Sequence, residues 1–458
     1  MNRENLPRYF ITDLPPDAEI SASMIREAAE TLKWNHDHIL TERSTKDMVS
    51  LLAEAGYLWR NPEYPIRQLA IASCPDETGF PPEVMEAGLD RFFNRLTEKE
   101  LRSLLSRDLG CLHRMDEFSD YDFCSESAQR TMGISPRLMV HYASGNLPIP
   151  TLMSLLCGLL MRSAQFVKCA SGTSLVPTLF AHSIYSLDPK VGSCIELAEW
   201  PRKKDDLNQC LLKQADLVTA TGKDETIQAI KSTLQDRVRC IGYGHRISFG
   251  YVAKESLKGK ALKDACQAMA NDVVAWNQQG CLSPHLFYIE EGGDISPKQV
   301  ARLFADELQA LEKTFPRGPI SVEESRAIRT RRMVYEMRSA ELPDTQVFQS
   351  DGSTSWTVVY DGDVRFQPSC LNRFVYIKGV EDLATALRAT EEYREKVSTV
   401  GIASSGNRLE AQAMQLAQWG VSRICPLGRM QDPPLSWHHD GHPALADLIS
   451  WSDWELPR

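Results

Sequence analysis

The pattern that most limits what this chain can fold into is an alternation of short apolar strands with helices from residue 137 to residue 241. Strands are expected at 137–142, 164–168, 192–197, 217–220 and 238–241, with helices at 150–161, 173–187, 205–214 and 223–234 between them. Strands joined through helices of this length run parallel by right-handed crossovers, and the resulting sheet is covered on both faces. That is a nucleotide-binding architecture. A second alternation follows, with a helix at 261–276, a strand at 286–289, helices at 296–314 and 322–337, and strands at 356–360 and 373–377. A helix at 382–393, a strand at 400–403, a helix at 408–419 closed by Gly420 and a strand at 423–425 complete it. Asp361-Gly362-Asp363 reads as a hairpin end. Upstream, helices are expected at 22–32 and 45–58, and the apolar stripe through 81–109 reads as core-facing helix.

At 458 residues the chain exceeds one ordinary core, so two or three domains are expected. Its net charge of −10 argues against a general nucleic-acid or anionic-membrane surface. Twelve cysteines lie scattered without a CxxC pair, and nothing at the start resembles a signal peptide. Reduced thiols in a cytoplasmic protein are expected. The longest stretch free of Asp, Glu, Lys and Arg, 138–161, is interrupted by His141, Asn146, Pro148 and Pro150, so it reads as strand, loop and buried helix and not as a membrane span.

Chemistry concentrates at Trp276-Asn277-Gln278-Gln279-Gly280-Cys281-Leu282-Ser283-Pro284-His285. A thiol becomes a nucleophile when it is partly exposed, sits at a turn and has hydrogen-bond donors nearby. Gly280 would allow close backbone approach. Donors for an oxyanion are available in the Cys281 amide, the amides of Asn277, Gln278 and Gln279, or a polar side chain from elsewhere. On residue chemistry alone Cys281 reads either as that nucleophile or as a small buried apolar side chain. No GxGxxG follows a strand, so the ordinary dinucleotide fingerprint is absent.

The ten-residue segment resembles the active-site segment of the fatty acyl reductases of bacterial luminescence systems. These are acyl-CoA or acyl-protein thioester reductases, a divergent branch of the aldehyde dehydrogenase superfamily. Ala143-Ser144-Gly145-Asn146-Leu147-Pro148 resembles that family's Gly-Asn-x-Pro loop, and Trp419 to Gly428 with Trp437 to Gly441 resembles its C-terminal block. The resemblance implies Cys281 as nucleophile, Asn146 as oxyanion donor, and His285 as a residue that raises the thiolate fraction by a charge-assisted contact.

For the cofactor, Phe166-Val167-Lys168-Cys169-Ala170-Ser171 resembles the Lys-Pro-Ser-Glu strand end that binds the adenosine ribose. Ser171 stands where NAD-selective members carry Glu; losing that carboxylate removes repulsion against a 2′-phosphate, so NADPH is expected. Thr219-Ala220-Thr221-Gly222-Lys223 resembles the Phe-Thr-Gly-Ser turn at the pyrophosphate, with Lys223 for Ser. His245 lies in the segment that replaces the superfamily's Glu-Leu-Gly-Gly-Lys. Without the hydrolytic Glu, the acyl group should pass to or from a thiol, and His245 reads as acid/base, phosphate ligand or structural residue. His438, His439 and His442 lack spaced partners, and no metal is expected.

The resemblance implies an aldehyde dehydrogenase-like α/β fold with two parallel-sheet domains, one Rossmann-like for the cofactor and one catalytic, plus a helical N-terminal arm and an oligomerisation segment. The expected division is 1–130, a helical region on the cofactor domain; 131–253, cofactor binding; 254–425, catalytic; and 426–458, a return segment. The implied activity is NADPH-dependent reduction of a long-chain acyl thioester, on CoA, a partner protein or a carrier protein, to the aldehyde. A non-reducing acyl-transfer subunit is the alternative. A homo-oligomer is expected, with an acyl-transferring or acyl-activating protein as a further partner.

Overall fold

The computed structural model describes residues 6–15, 17–120, 129–145 and 147–455. The chain divides into two compact units: residues 1–78, 89–244 and 434–458 form the first, and 79–88 with 245–433 the second. In the first lie β1 (Gln129–Ile134), β2 (Leu138–Tyr142), β3 (Ala164–Cys169), β4 (Ile195–Glu199), β5 (Leu217–Thr221) and β6 (Arg239–Tyr243). The second holds β7 (Ile247–Val252), β8 (Pro284–Glu290), β9 (Thr345–Gln349), β10 (Thr357–Asp361), β11 (Phe374–Val380), β12 (Val397–Ala403) and β13 (Arg423–Pro426), and β14 (Ser450–Glu455) returns to the first.

The first unit's main sheet is parallel throughout, in the order β4-β3-β2-β5-β6. Strand order therefore reverses direction on either side of β2. Every residue of β3 is buried, as a strand covered on both faces requires. The helices Ala22–Asn35 and Thr45–Arg60 start where Ser21 and Ser44 cap them, Ser44 in a reciprocal box with Asp47. They pack within this unit: Trp59 Nε1 donates to Ser183 Oγ at 2.8 Å and Asn35 Nδ2 to the Ser193 carbonyl at 2.6 Å. β1 and β14 form a separate antiparallel ribbon.

The second unit is built on a seven-stranded sheet, β13-β12-β7-β8-β11-β10-β9, parallel except for β9. β8 shows why its sequence is continuously apolar. Phe287 and Ile289 enter one core with the helices Gly259–Val274 and Pro297–Leu311, while Leu286 and Tyr288 enter another on the opposite face.

Two expectations change. Residues 247–252, assigned from the sequence to the 131–253 stretch, belong to the seven-stranded sheet as β7. No helix separates β6 from β7, so the alternation gives no signal for it. Asp361-Gly362-Asp363 does end a hairpin, the antiparallel pair β9 and β10, whose last register pair is Asp361 with Thr345. The tail 426–458, expected only as a return segment, contains a regular strand, β14. Among the described residues no helix is long and apolar enough to cross a membrane.

Candidate active site

The helix Gly259–Val274 runs into the segment carrying Cys281, and the chain turns there through left-handed backbone. Trp276, Asn277 and Gln278 have φ of 54°, 50° and 65°, whereas Gly280 does not take a positive φ. Left-handed non-glycine residues cost on the order of 1–3 kcal/mol each and persist only where their surroundings hold them. Trp276 is seated edge-on against Phe80, centroids 5.4 Å apart, and a Cβ on Gly88 would fall 2.0 Å from its ring. Only glycine fits at position 88.

A second left-handed triplet, Leu371, Asn372 and Arg373 (φ 63°, 54° and 64°), clasps the first. The buried Arg373 guanidinium donates through Nε and Nη2 to Asn277 Oδ1 at 3.0 and 2.7 Å, and through Nη1 to Glu312 Oε2 at 2.7 Å. Gln279 Nε2 donates to Asn372 Oδ1 at 2.9 Å. Asn372 Nδ2 donates in turn to Glu324 Oε1 at 3.1 Å. Burial lowers the pKa of Arg373 to about 10, so it stays charged at neutral pH.

These bonds correct one expectation. The Asn277 side-chain amide donates to the Arg317 carbonyl at 2.8 Å, and that of Gln278 to the Pro284 and Phe374 carbonyls at 2.7 and 3.1 Å. With Gln279 they are spent on holding the loop and not on an oxyanion.

On this frame Cys281 alone among the described cysteines is exposed. Its carbonyl accepts Ser248 Oγ–H at 2.8 Å. Burial pushes Cys370 up to about 11 and Cys169, Cys194, Cys266 and Cys425 up to about 12, so those thiols stay protonated and unreactive.

His285, on β8, is buried, and its Nδ1 accepts the Ser369 amide N–H at 3.0 Å. Burial first, and His245 second, lower its pKa to about 4. It is therefore neutral at physiological pH with its proton on Nε2, and the charge-assisted form of its expected contact is not available.

In the first unit the expected cofactor residues gather at the carboxyl ends of the parallel strands, where open α/β sheets bind ligands. Lys168 is nearly buried on β3, its Nζ 5.9 Å from the Trp200 ring centre. Burial lowers its pKa, with Glu199 among the groups that oppose the shift. Ser171 lies exposed in the following turn. The loop after β2 is tied to β3 through Ala143 N–H to the Lys168 carbonyl at 3.0 Å, while Asn146 lies outside the described residues.

Thr221 ends β5, and Gly222 N–H donates to the Tyr243 carbonyl at 3.1 Å with open space where its Cβ would be. Lys223 caps the helix Asp224–Thr233 without a side-chain bond. That helix carries Asp224 and Glu225 in its first turn, which already answer its dipole. The tail histidines pack instead of converging: His439 stacks on Tyr243 at 4.4 Å and His442 Nδ1 faces Asp447 Oδ2 at 3.2 Å.

Two groups were not found from the sequence. Glu199 at the end of β4 accepts the Gly172 N–H at 3.3 Å and stands in the field of Lys168, so a carboxylate re-enters the strand-end region that Ser171 had vacated. A carboxylate closing a strand next to Trp200 was the available signal. For Arg373 there was none, since nothing local distinguishes a buried guanidinium from a surface one.

Residues 40–451 match the acyl-CoA reductase (LuxC) family. The chain belongs to that family. Relatives include a long-chain acyl-protein thioester reductase of Aliivibrio fischeri, 25% identical, covering 98% of this chain and 90% of the relative. One of the same description from Vibrio harveyi is 22% identical, covering 92% and 85%.

Among solved structures, an NAD-dependent benzaldehyde dehydrogenase from Corynebacterium glutamicum aligns with a TM-score of 0.69 at 12% identity, over 95% of this chain and 91% of that one. A variant of proline utilization A from Bradyrhizobium japonicum aligns at 0.71 and 14% identity, over 95% of this chain, which spans 45% of that longer one. The fold is aldehyde dehydrogenase-like. A member of this acyl reductase family on this fold is an oxidoreductase acting on an acyl or aldehyde group.

Proposed function

We propose that the chain reduces a long-chain acyl thioester to the aldehyde through a covalent acyl group on Cys281. The observation that carries this reading is the one exposed thiol among the described residues, on a buried, doubly left-handed loop. A thiol held in that way is positioned before substrate arrives, and none of the reorganisation falls to the reaction itself. The long-chain substrate class follows the descriptions of the relatives. The donor thiol belongs to CoA, a partner protein or a carrier protein.

In the proposed sequence the Cys281 sulfur attacks the thioester carbonyl carbon. The oxygen takes the electron pair and rests on the Cys281 amide and the Asn146 side chain, and the donor thiol departs. A reduced nicotinamide dinucleotide, when bound, supplies hydride to the acyl carbon. The Cys281 sulfur then leaves as the aldehyde forms. His285, neutral, offers Nε2–H as an uncharged donor.

The first unit fits a dinucleotide. Its strand order reverses beside β2, and the carboxyl ends of β3, β4 and β5 offer the Lys168 ammonium, Ser171, the Trp200 ring, and the Thr221-Gly222-Lys223 turn. NADPH is the form we assign, and Glu199 is the group that decides how strongly it is preferred over NADH. The cofactor domain of this proposal spans 131–244, and the catalytic domain runs from His245; the β1 and β14 ribbon is the oligomer contact. A non-reducing acyl-transfer role draws on Asp224 and Glu225 at the helix start, where a pyrophosphate would meet two carboxylates.

The test is NADPH oxidation with a long-chain acyl-CoA, followed with aldehyde detection in the wild type and in Cys281→Ala. Aldehyde formation lost in the variant supports the reductase. Acylation of Cys281 that NADPH cannot discharge selects acyl transfer.

A further inference from the structure

We propose that His245 is the proton carrier for acylation of Cys281, an inference that rests on Cys281 being the nucleophile. β7 and β8 are parallel neighbours, with Ser248 paired to Pro284. His245 and Cys281 each precede that pair by three positions, so the two residues enter at the same end of the sheet on adjacent chains. His245 lies in the irregular approach to β7 and Cys281 in the turn that the Ser283 N–H closes onto the Gly280 carbonyl at 2.9 Å, just before β8. The Ser248 Oγ–H to Cys281 carbonyl bond, at 2.8 Å, ties the two approaches together at this point. Ser248 Oγ also accepts the Thr399 N–H at 3.2 Å, which anchors it to β12 on the other side of β7.

Exposure separates the two histidines of this region. His245 is exposed, while His285 is buried and already receives the Ser369 amide. The charge of His245 is felt at His285, which places both imidazoles around the start of β8. An imidazole that reaches solvent can gain and lose its proton within a cycle, and a buried neutral one cannot.

The step balances without a further reactant. His245 takes the Cys281 thiol proton as the sulfur–carbon bond forms. It returns that proton to the donor sulfur as the old carbon–sulfur bond breaks and its electron pair moves to that sulfur. Cys281, released as thiolate with the aldehyde, recovers a proton from solvent.

The experiment compares acylation of wild type and His245→Gln by two thioesters of one long-chain acid, an alkyl thioester and a thiophenyl ester, by rapid-quench intact mass without nicotinamide. Removal of the thiol proton is common to both esters while a thiophenolate leaves unaided, so His245→Gln should slow both, the alkyl thioester about 100-fold and the aryl one only about tenfold. Equal slowing with both, or slowing with neither, overturns the assignment. Absence of any adduct on the wild type would instead contradict the Cys281 nucleophile itself.

Discussion

The two sheets present their chemistry at opposite ends of their strands. The five-stranded sheet offers Lys168, Ser171 and Thr221 where β3 and β5 finish, the usual place for a ligand in a parallel sheet. The seven-stranded sheet offers Cys281 just before β8 begins. Its carboxyl ends are occupied by an ion network. There Glu290 accepts Tyr251 Oη–H at 2.9 Å and both bonds of Arg408 Nη2 at 2.9 and 2.8 Å, with Lys254 at 3.4 Å.

The difference teaches what each end of a strand needs. A strand that finishes in a turn and a helix start presents backbone N–H groups without strain. A helix that must feed a strand and expose a thiol on the way has no such ready geometry. Here it is met by six left-handed residues and one buried guanidinium.

That contrast breaks most sharply at Arg373. Arg373→Met leaves Asn277 Oδ1 and Glu312 without their partner, and breaking a buried pair costs about 3 kcal/mol or more. Denaturant titration should find that loss. Acylation of Cys281 should slow by about two orders of magnitude, as expected for a misplaced nucleophile. Unchanged acylation would show that the left-handed loop holds without its lock.

A somewhat smaller effect follows from His285. Its folded-state pKa lies below the unfolded value, so between pH 6.5 and about 4 the unfolded chain binds the proton that the folded chain refuses. The stability it contributes is complete above pH 6.5 and is lost as pH falls toward 4, by up to about 3 kcal/mol. Melting temperature against pH, in wild type and His285→Gln, should show a shallower acid decline in the variant. Parallel curves would mean that His285 is not held neutral.

The smallest effect is expected in the other sheet. Glu199→Gln removes a carboxylate beside Lys168, so kcat/KM for NADPH relative to NADH should rise by roughly 3- to 10-fold. No change in the ratio would place the 2′-phosphate away from β4.

The sequence made the parallel alternation and the strand-end cation readable, because both follow from local periodicity. Cys281 was readable because its ten-residue segment resembles a family. β7 escaped because β6 reaches it through three residues, 244–246, without a helix. The left-handed triplets escaped for another reason. Trp276, Gln278, Leu371 and Arg373 have no local preference for positive φ, and contacts with residues distant in sequence, among them those between the triplets about a hundred residues apart, hold them there. Gly280, the residue that local rules select for such backbone, is not where the positive φ falls.

The most direct measurement of the central claim is intact mass with peptide mapping after mixing the protein with a long-chain acyl thioester, first without nicotinamide and then with NADPH added. The account predicts one acyl group, on the peptide containing Cys281, absent in Cys281→Ala and discharged as aldehyde when NADPH is added. An acyl group on another residue, or aldehyde formed by Cys281→Ala, would contradict it.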